Sequence, residues 1–234
     1  LGNINIGDLA IWFVVFLFSL SLHEAAHAWT SERFGDDTGR HMGRITLNPL
    51  PHIHPLGTIV FPLIGMLSLM TGSGFAMFGW AKPVMTNPLL WRDKTKANIM
   101  VSAAGPLSNF VLATIAFVAL KSMLSAGLVV PSMYPSYFSL VTPVAANATI
   151  LEPLSRLLSI LLLLNITLGV FNLIPIPPLD GSHVLESLLP YEMAKAYEQI
   201  EPYGFILLIG LMFTGIFGMI LNPIWNYAVY LLYT

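Results

Sequence analysis

The chain predicts an all-α polytopic membrane protein with about four to six transmembrane helices. It also predicts a re-entrant loop or short β-hairpin segment beside a polar cluster. Three observations carry this. Of the 234 residues, 56% are hydrophobic and only 9% are Asp, Glu, Lys or Arg, against about 25% charged in a typical soluble domain. Several apolar runs approach the ~20 residues that cross a bilayer. The first of them, Leu9–Leu22, leads without a break into His23-Glu24-Ala25-Ala26-His27.

The first segment covers about 8–34. Its apolar part is short for a span, and the turn His23–Trp29 completes the length, which places polar side chains near one membrane face. A cleavable signal peptide needs a basic flank and a small-residue cleavage site. Here the flank carries Asp8, so the segment reads as a retained helix. Residues 35–55 read as a polar loop, punctuated by Gly35, Gly39, Pro49 and Pro51. Residues 56–72 are apolar but short and are interrupted by Pro62 and Gly65. Residues 74–86, rich in Gly and aromatics, read as extended. The second span covers about 96–121, and 121–150 reads as a Pro-containing linker. The third span, about 152–175, ends in Ile174-Pro175-Ile176-Pro177-Pro178-Leu179-Asp180-Gly181. Residues 182–202 read as a short amphipathic helix. A C-terminal span over about 203–222 is broken by Pro223 before an apolar tail. No repeat is visible, and 1–234 reads as one membrane-embedded domain.

Orientation follows the basic residues. Arg33, Arg40 and Arg44 follow the first span, and Lys82, Arg92, Lys94 and Lys96 follow 56–72. Both groups want the cytoplasmic side, so 56–81 is expected to dip in and return. The ends of spans one and three then meet at the same face. Net charge is −2, so no basic footprint suggests nucleic acid. With no cysteine, thiol nucleophiles, thiolate metal sites and disulfides are excluded.

Histidines four apart on a helix share a face. His23 and His27 can therefore address one zinc ion, with Glu24 beside them to polarise a metal-bound water. Two histidines and a water leave a tetrahedral site one ligand short. Asp180, directly after the third span, is the candidate, because a carboxylate near bilayer depth is costly unless paired or metal-bound. His183, Glu186, His52 and His54 compete for the place. Asn172, Asn109 or His54 could donate to a developing oxyanion, and His52 and His54 could also contact substrate. Residues 74–86 are a candidate edge for holding an unwound peptide by β-addition.

Three motifs together, HEAAH at 23–27, GPLSN at 105–109 and NLIPIPPLDG at 172–181, resemble the site-2 protease family of intramembrane zinc metalloproteases. NPLPHIHPLG at 48–57 and GWAKPV at 79–84 resemble its compact branch, which lacks a PDZ domain. The resemblance covers most of the chain, from the first span to the LDG motif. It implies one Zn2+ per chain held by His23, His27 and Asp180, Glu24 as general base, and Asn172 and Asn109 facing the site. It further implies cleavage of transmembrane protein substrates within or beside their membrane helices, in a prokaryotic plasma membrane, with the site nearer the cytoplasmic face. Two departures stand out: the branch commonly has Asp where this chain has His54, and the stretch between HEAAH and LDG is long. Two other function classes are compatible with intramembrane His and Asp. An intramembrane metal transporter is one, although no inverted repeat is present. A catalytically silent relative that binds membrane helices is the other.

Overall fold

In lipid, a backbone must satisfy its own hydrogen bonds, so long apolar runs fold as long helices. The computed structural model describes residues 6–71, 79–144 and 148–234, without the side chains of 68–71. Among the described residues, four helices are long and apolar enough to cross a membrane: α1 (Ile6–Arg33), α4 (Lys94–Ser125), α5 (Ala148–Asn172) and α9 (Ile216–Tyr233). Helices α1, α4 and α5 pack against one another and form the core. Shorter helices are α2 (Thr38–His41), α3 (Phe61–Thr71), α6 (Asp180–Leu188), α7 (Tyr191–Glu198) and α8 (Gly204–Phe213).

One end of this bundle is closed by an antiparallel hairpin, β1 (Val129–Ser136) and β2 (Ser139–Pro143). Its inner residues Val129, Leu140 and Val141 are buried in a cluster with Leu120, Leu162 and Leu232. The Leu140 N–H donates to Ser159 Oγ at 3.1 Å, and the Lys121 ammonium donates to Leu231 and Leu232 carbonyls. Near the N-terminus of α1, buried Asp8 pairs with Arg156 of α5 at 2.6 Å. Of the stretch 121–150, expected as a linker, the described residues are thus largely helix and strand. This hairpin lies at the opposite end of the helices from the histidines and is distinct from the re-entrant loop or hairpin expected over 56–81.

The segment 56–72 begins as a π-helical turn, Pro55–Val60, and continues as α3. Pro62 lies just past the point where the π-helical turn passes into α3, so its missing N–H falls at the change of helix type. The Trp80 N–H donates to the Gly57 carbonyl at 3.1 Å and the Lys82 N–H to the His52 carbonyl at 2.8 Å. The chain between 57 and 80 therefore leaves and returns to one place, as the dip-and-return topology requires. The C-terminal span expected over about 203–222 is instead divided. Gly215, at φ 75°, adopts the left-handed turn that glycine allows and ends α8. The span that follows, α9, carries Pro223 in its interior. A membrane helix tolerates the lost ladder bond where packing compensates, and Leu221 beside it is buried. Residues 182–202 form two short helices in place of one, parted by Pro190.

Candidate metal centre

HEAAH lies in the C-terminal half of α1, and its two histidines do share a face. His23 Nε2 and His27 Nε2 are 3.0 Å apart. Asp180 completes the group: its Oδ2 lies 3.1 Å from His23 Nε2 and its Oδ1 3.3 Å from His27 Nε2. Among the described residues these three form the one cluster of His, Asp and Glu with metal-ligand spacing. Two close approaches build it. Asp180 opens α6, and a side chain on the next residue, Gly181, would meet the Leu173 carbonyl at 2.2 Å. Glycine there lets α6 press against the end of α5 and carry Asp180 inward. Gly105 of α4 faces the two histidines themselves: a Cβ there would lie 2.4 Å from His27 Nε2 and 2.6 Å from His23 Nε2.

The donor set fits a zinc ion. His27 Nδ1 lies 2.7 Å from the Val101 carbonyl, which only accepts, so that nitrogen donates and Nε2 keeps its lone pair. His23 Nδ1 lies 2.7 Å from Asn109 Oδ1. Asp180 turns one carboxylate oxygen toward each imidazole. Asp180 Oδ2 is also buried without a hydrogen-bond partner. Four electron-rich atoms, two imidazole nitrogens and both Asp180 oxygens, thus face one another with closest approaches of 3.0–3.3 Å, a mutual repulsion that a cation relieves. Tetrahedral ligands about 2.0–2.1 Å from zinc would stand roughly 3.3 Å from each other.

Glu24 is buried beside this group, and its Oε2 accepts from the Val84 N–H at 2.9 Å. That bond belongs to a series along 79–87. The N–H groups of Trp80, Lys82, Val84 and Asn87 go to Gly57, His52, Glu24 and Asp36 respectively. The segment is extended and anchored across α1 along one side. Of the stretch 74–86 singled out from the sequence, 74–78 lie outside the described residues. Asp36 also accepts from Ser31 Oγ and the Thr38 N–H, which locks the end of α1 to the loop it enters.

The remaining expected residues fall in different places. Asn109 touches His23 from behind, and its Nδ2 donates to Asn165 Oδ1 at 2.9 Å. Its amide is thereby turned away from the ligand cluster, so the reading of Asn109 as an oxyanion donor gives way to one of support. The Asn172 amide donates to the Leu168 carbonyl of its own helix, and no hydrogen bond links it to the cluster among the described residues. His52 and His54 do not join the cluster. His52 is buried, its Nε2 donates to the Thr46 carbonyl, and burial pushes its pKa down. His54 Nδ1 accepts from the Gly57 N–H and caps the turn that starts at Pro55. An aspartate carboxylate could cap the turn in the same way. His183 instead lies near Glu186, away from the cluster. Asn165 and Ser19 escaped the sequence reading. The available signal was a lone amide within the apolar run Leu161–Gly169, where an unsatisfied polar group is expensive.

Residues 11–215 match the model of peptidase family M50. The "Putative zinc metalloprotease" YwhC of Bacillus subtilis (strain 168) is 36% identical over 213 residues, spanning 91% of this chain and 84% of that protein. The "Putative zinc metalloprotease" Rip2 of Mycolicibacterium smegmatis (strain ATCC 700084 / mc(2)155) is 32% identical over 209 residues, or 89% of this chain and 69% of that one. No solved structure matches the chain.

Proposed function

Because the chain belongs to peptidase family M50, the site-2 protease family, we propose that it is an intramembrane zinc endopeptidase that cuts membrane proteins within or beside their transmembrane helices. The observation that supports this best is the convergence of His23, His27 and Asp180 beside Glu24, among helices of membrane-spanning length. In this reading the two histidines and Asp180 hold one zinc ion per chain. Zinc held there supplies Lewis acidity, polarising the scissile carbonyl and acidifying water.

The chain's own residues do the rest. Glu24 takes a proton at Oε1 and returns it to the leaving amine, while the Val84 N–H keeps Oε2 in place. Asn172 is the proposed oxyanion donor, once its amide leaves the Leu168 carbonyl. A helical substrate must unwind before its carbonyl is exposed. The extended segment 79–86 is the proposed support for the unwound strand, on the edge opposite its anchored N–H groups. Residues 1–234 act as one membrane-embedded protease domain. Basic side chains set its orientation: Arg33, Arg40, Arg44, Lys82, Arg92, Lys94 and Lys96 flank the site end. The site then lies nearer the cytoplasmic face of a prokaryotic plasma membrane.

Glu24→Gln tests the reading. The variant is expected to keep zinc and to abolish fragments of membrane proteins that the active enzyme generates in the same cells, scored by proteomics. Fragments unchanged in the Glu24→Gln cells would refute the catalytic assignment.

A further inference from the structure

Three buried polar side chains meet in the core between α5 and the metal centre. Ser19, Asn109 and Asn165 are fully buried, and each comes from a different core helix. Asn165 Nδ2 contacts both the Leu161 carbonyl and Ser19 Oγ at 2.9 Å. Asn165 Oδ1 faces Asn109 Nδ2 at 2.9 Å, and Asn109 Oδ1 faces His23 Nδ1 at 2.7 Å. None of these side chains touches a reacting atom.

The line has a direction, and its far end sets it. A backbone carbonyl only accepts, so the Asn165 group facing Leu161 must be its NH2. Its oxygen then faces Asn109, which must answer with its own NH2. The Asn109 oxygen is left pointing at His23 Nδ1, and that nitrogen must carry a proton. In a neutral imidazole the other nitrogen, Nε2, is then the lone-pair bearer, and Nε2 is the atom aimed at Asp180 and His27. We propose that Asn165 is a positioning residue: through Asn109 it fixes the tautomer in which His23 presents an unprotonated Nε2 to the metal. This rests on the proposed reading of His23 as a zinc ligand. Without Asn165, Asn109 can rotate its amide and offer N–H to His23 Nδ1. That selects the opposite tautomer, with a proton on Nε2 where the metal should bind. Groups that orient metal-ligating histidines are worth about 10–100-fold in metal affinity.

Zinc affinity of the full detergent-solubilised chain, read by chelator competition, is the test. Asn165→Leu keeps the branching of the side chain, removes both ends of the relay amide and is expected to weaken zinc by about 10–100-fold. Asn165→Ala is a second truncation, should leucine disturb folding, with the same expected loss. Asn165→Asp rescues: in its protonated form it donates to Leu161 and still accepts from Asn109, so affinity stays within about threefold of wild type. Helix content by circular dichroism, measured without zinc, confirms that the compared variants are folded. Equal losses in folded Asp and Leu variants would overturn the proposal, as would wild-type affinity in folded Leu and Ala variants. His23→Ala in the same assay separates the two levels. If it leaves affinity unchanged, the ligand reading itself fails. If it abolishes binding while folded Asn165→Leu keeps wild-type affinity, only the relay fails.

Discussion

Gly105→Ala adds one methyl group at the point where α4 crosses the two histidines. The new carbon would lie 2.4 Å from His27 Nε2 and 2.6 Å from both Cε1 and Nε2 of His23. Ordinary contact is about 3.5–4.0 Å, so His27 Nε2 must retreat by roughly 1 Å. A metal site tolerates departures of about 0.2 Å from its bond lengths. Neither imidazole has a free retreat, because each is held at its other nitrogen, by Val101 and by Asn109. The expected result is at least about a 100-fold loss of zinc affinity, beyond that for loss of a supporting group. The effect on the apoprotein should differ. Alanine favours a helix over glycine by about 1 kcal/mol, which offsets much of the roughly 1–3 kcal/mol of overpacking. Chelator competition and thermal unfolding of the zinc-free protein, measured on the same sample, check this. Zinc affinity within threefold of wild type would refute the placement of Gly105 against the ligands. A collapse of apoprotein stability in parallel with zinc loss would refute the claim that the effect is local.

Detergent-purified protein should hold about one zinc per chain, and Asp180→Ala should lower that occupancy. Unchanged zinc content in Asp180→Ala, by atomic absorption, would remove the third-ligand assignment. Arg156→Ala leaves the Asp8 carboxylate buried without its closest cation and should cost about 3 kcal/mol. The double change Asp8→Asn with Arg156→Met should recover most of that loss in thermal unfolding. Burial by itself would raise the Asp36 carboxyl, but hydrogen bonds from Thr38, Asn87 and Ser31 outweigh it and lower the group's pKa. A carboxyl lowered by folding stabilises above its unfolded value and loses that contribution as pH falls through its folded value. Wild-type Tm should therefore fall as pH drops below about 4, and the fall should be shallower in Asp36→Asn.

Much of the site could be read in the chain because helical geometry is local. Spacing alone puts His23 and His27 on one face, and the observed 3.0 Å between their Nε2 atoms agrees. The place of Asp180 was legible for a different reason: basic loops fix which helix ends share a membrane face, and Asp180 follows such an end. The C-terminal region was misread because hydropathy averages over a window, whereas Gly215 breaks the helix at a single residue. Pro223 misled in the other direction, since a proline's cost depends on neighbours that composition does not reveal. The strands at 129–143 were hidden for a related reason. Their prolines read as linker, and only pairing and burial of Val129, Leu140 and Val141 make them a hairpin.

By itself the sequence determined that the chain crosses a membrane, that a helix presents two imidazoles and a carboxylic acid together, and where a third ligand should come from. These follow from periodicity, length and charge, which are properties of neighbouring residues. Only the tertiary structure decided that Asn109 supports His23, that Asn165 stands behind Asn109, that Val84 holds Glu24, and that Gly105 leaves room for the ligands. Each of these is a contact between residues 56 or more positions apart. Such contacts depend on how three helices pack and on which way each amide is turned, and no local pattern encodes either.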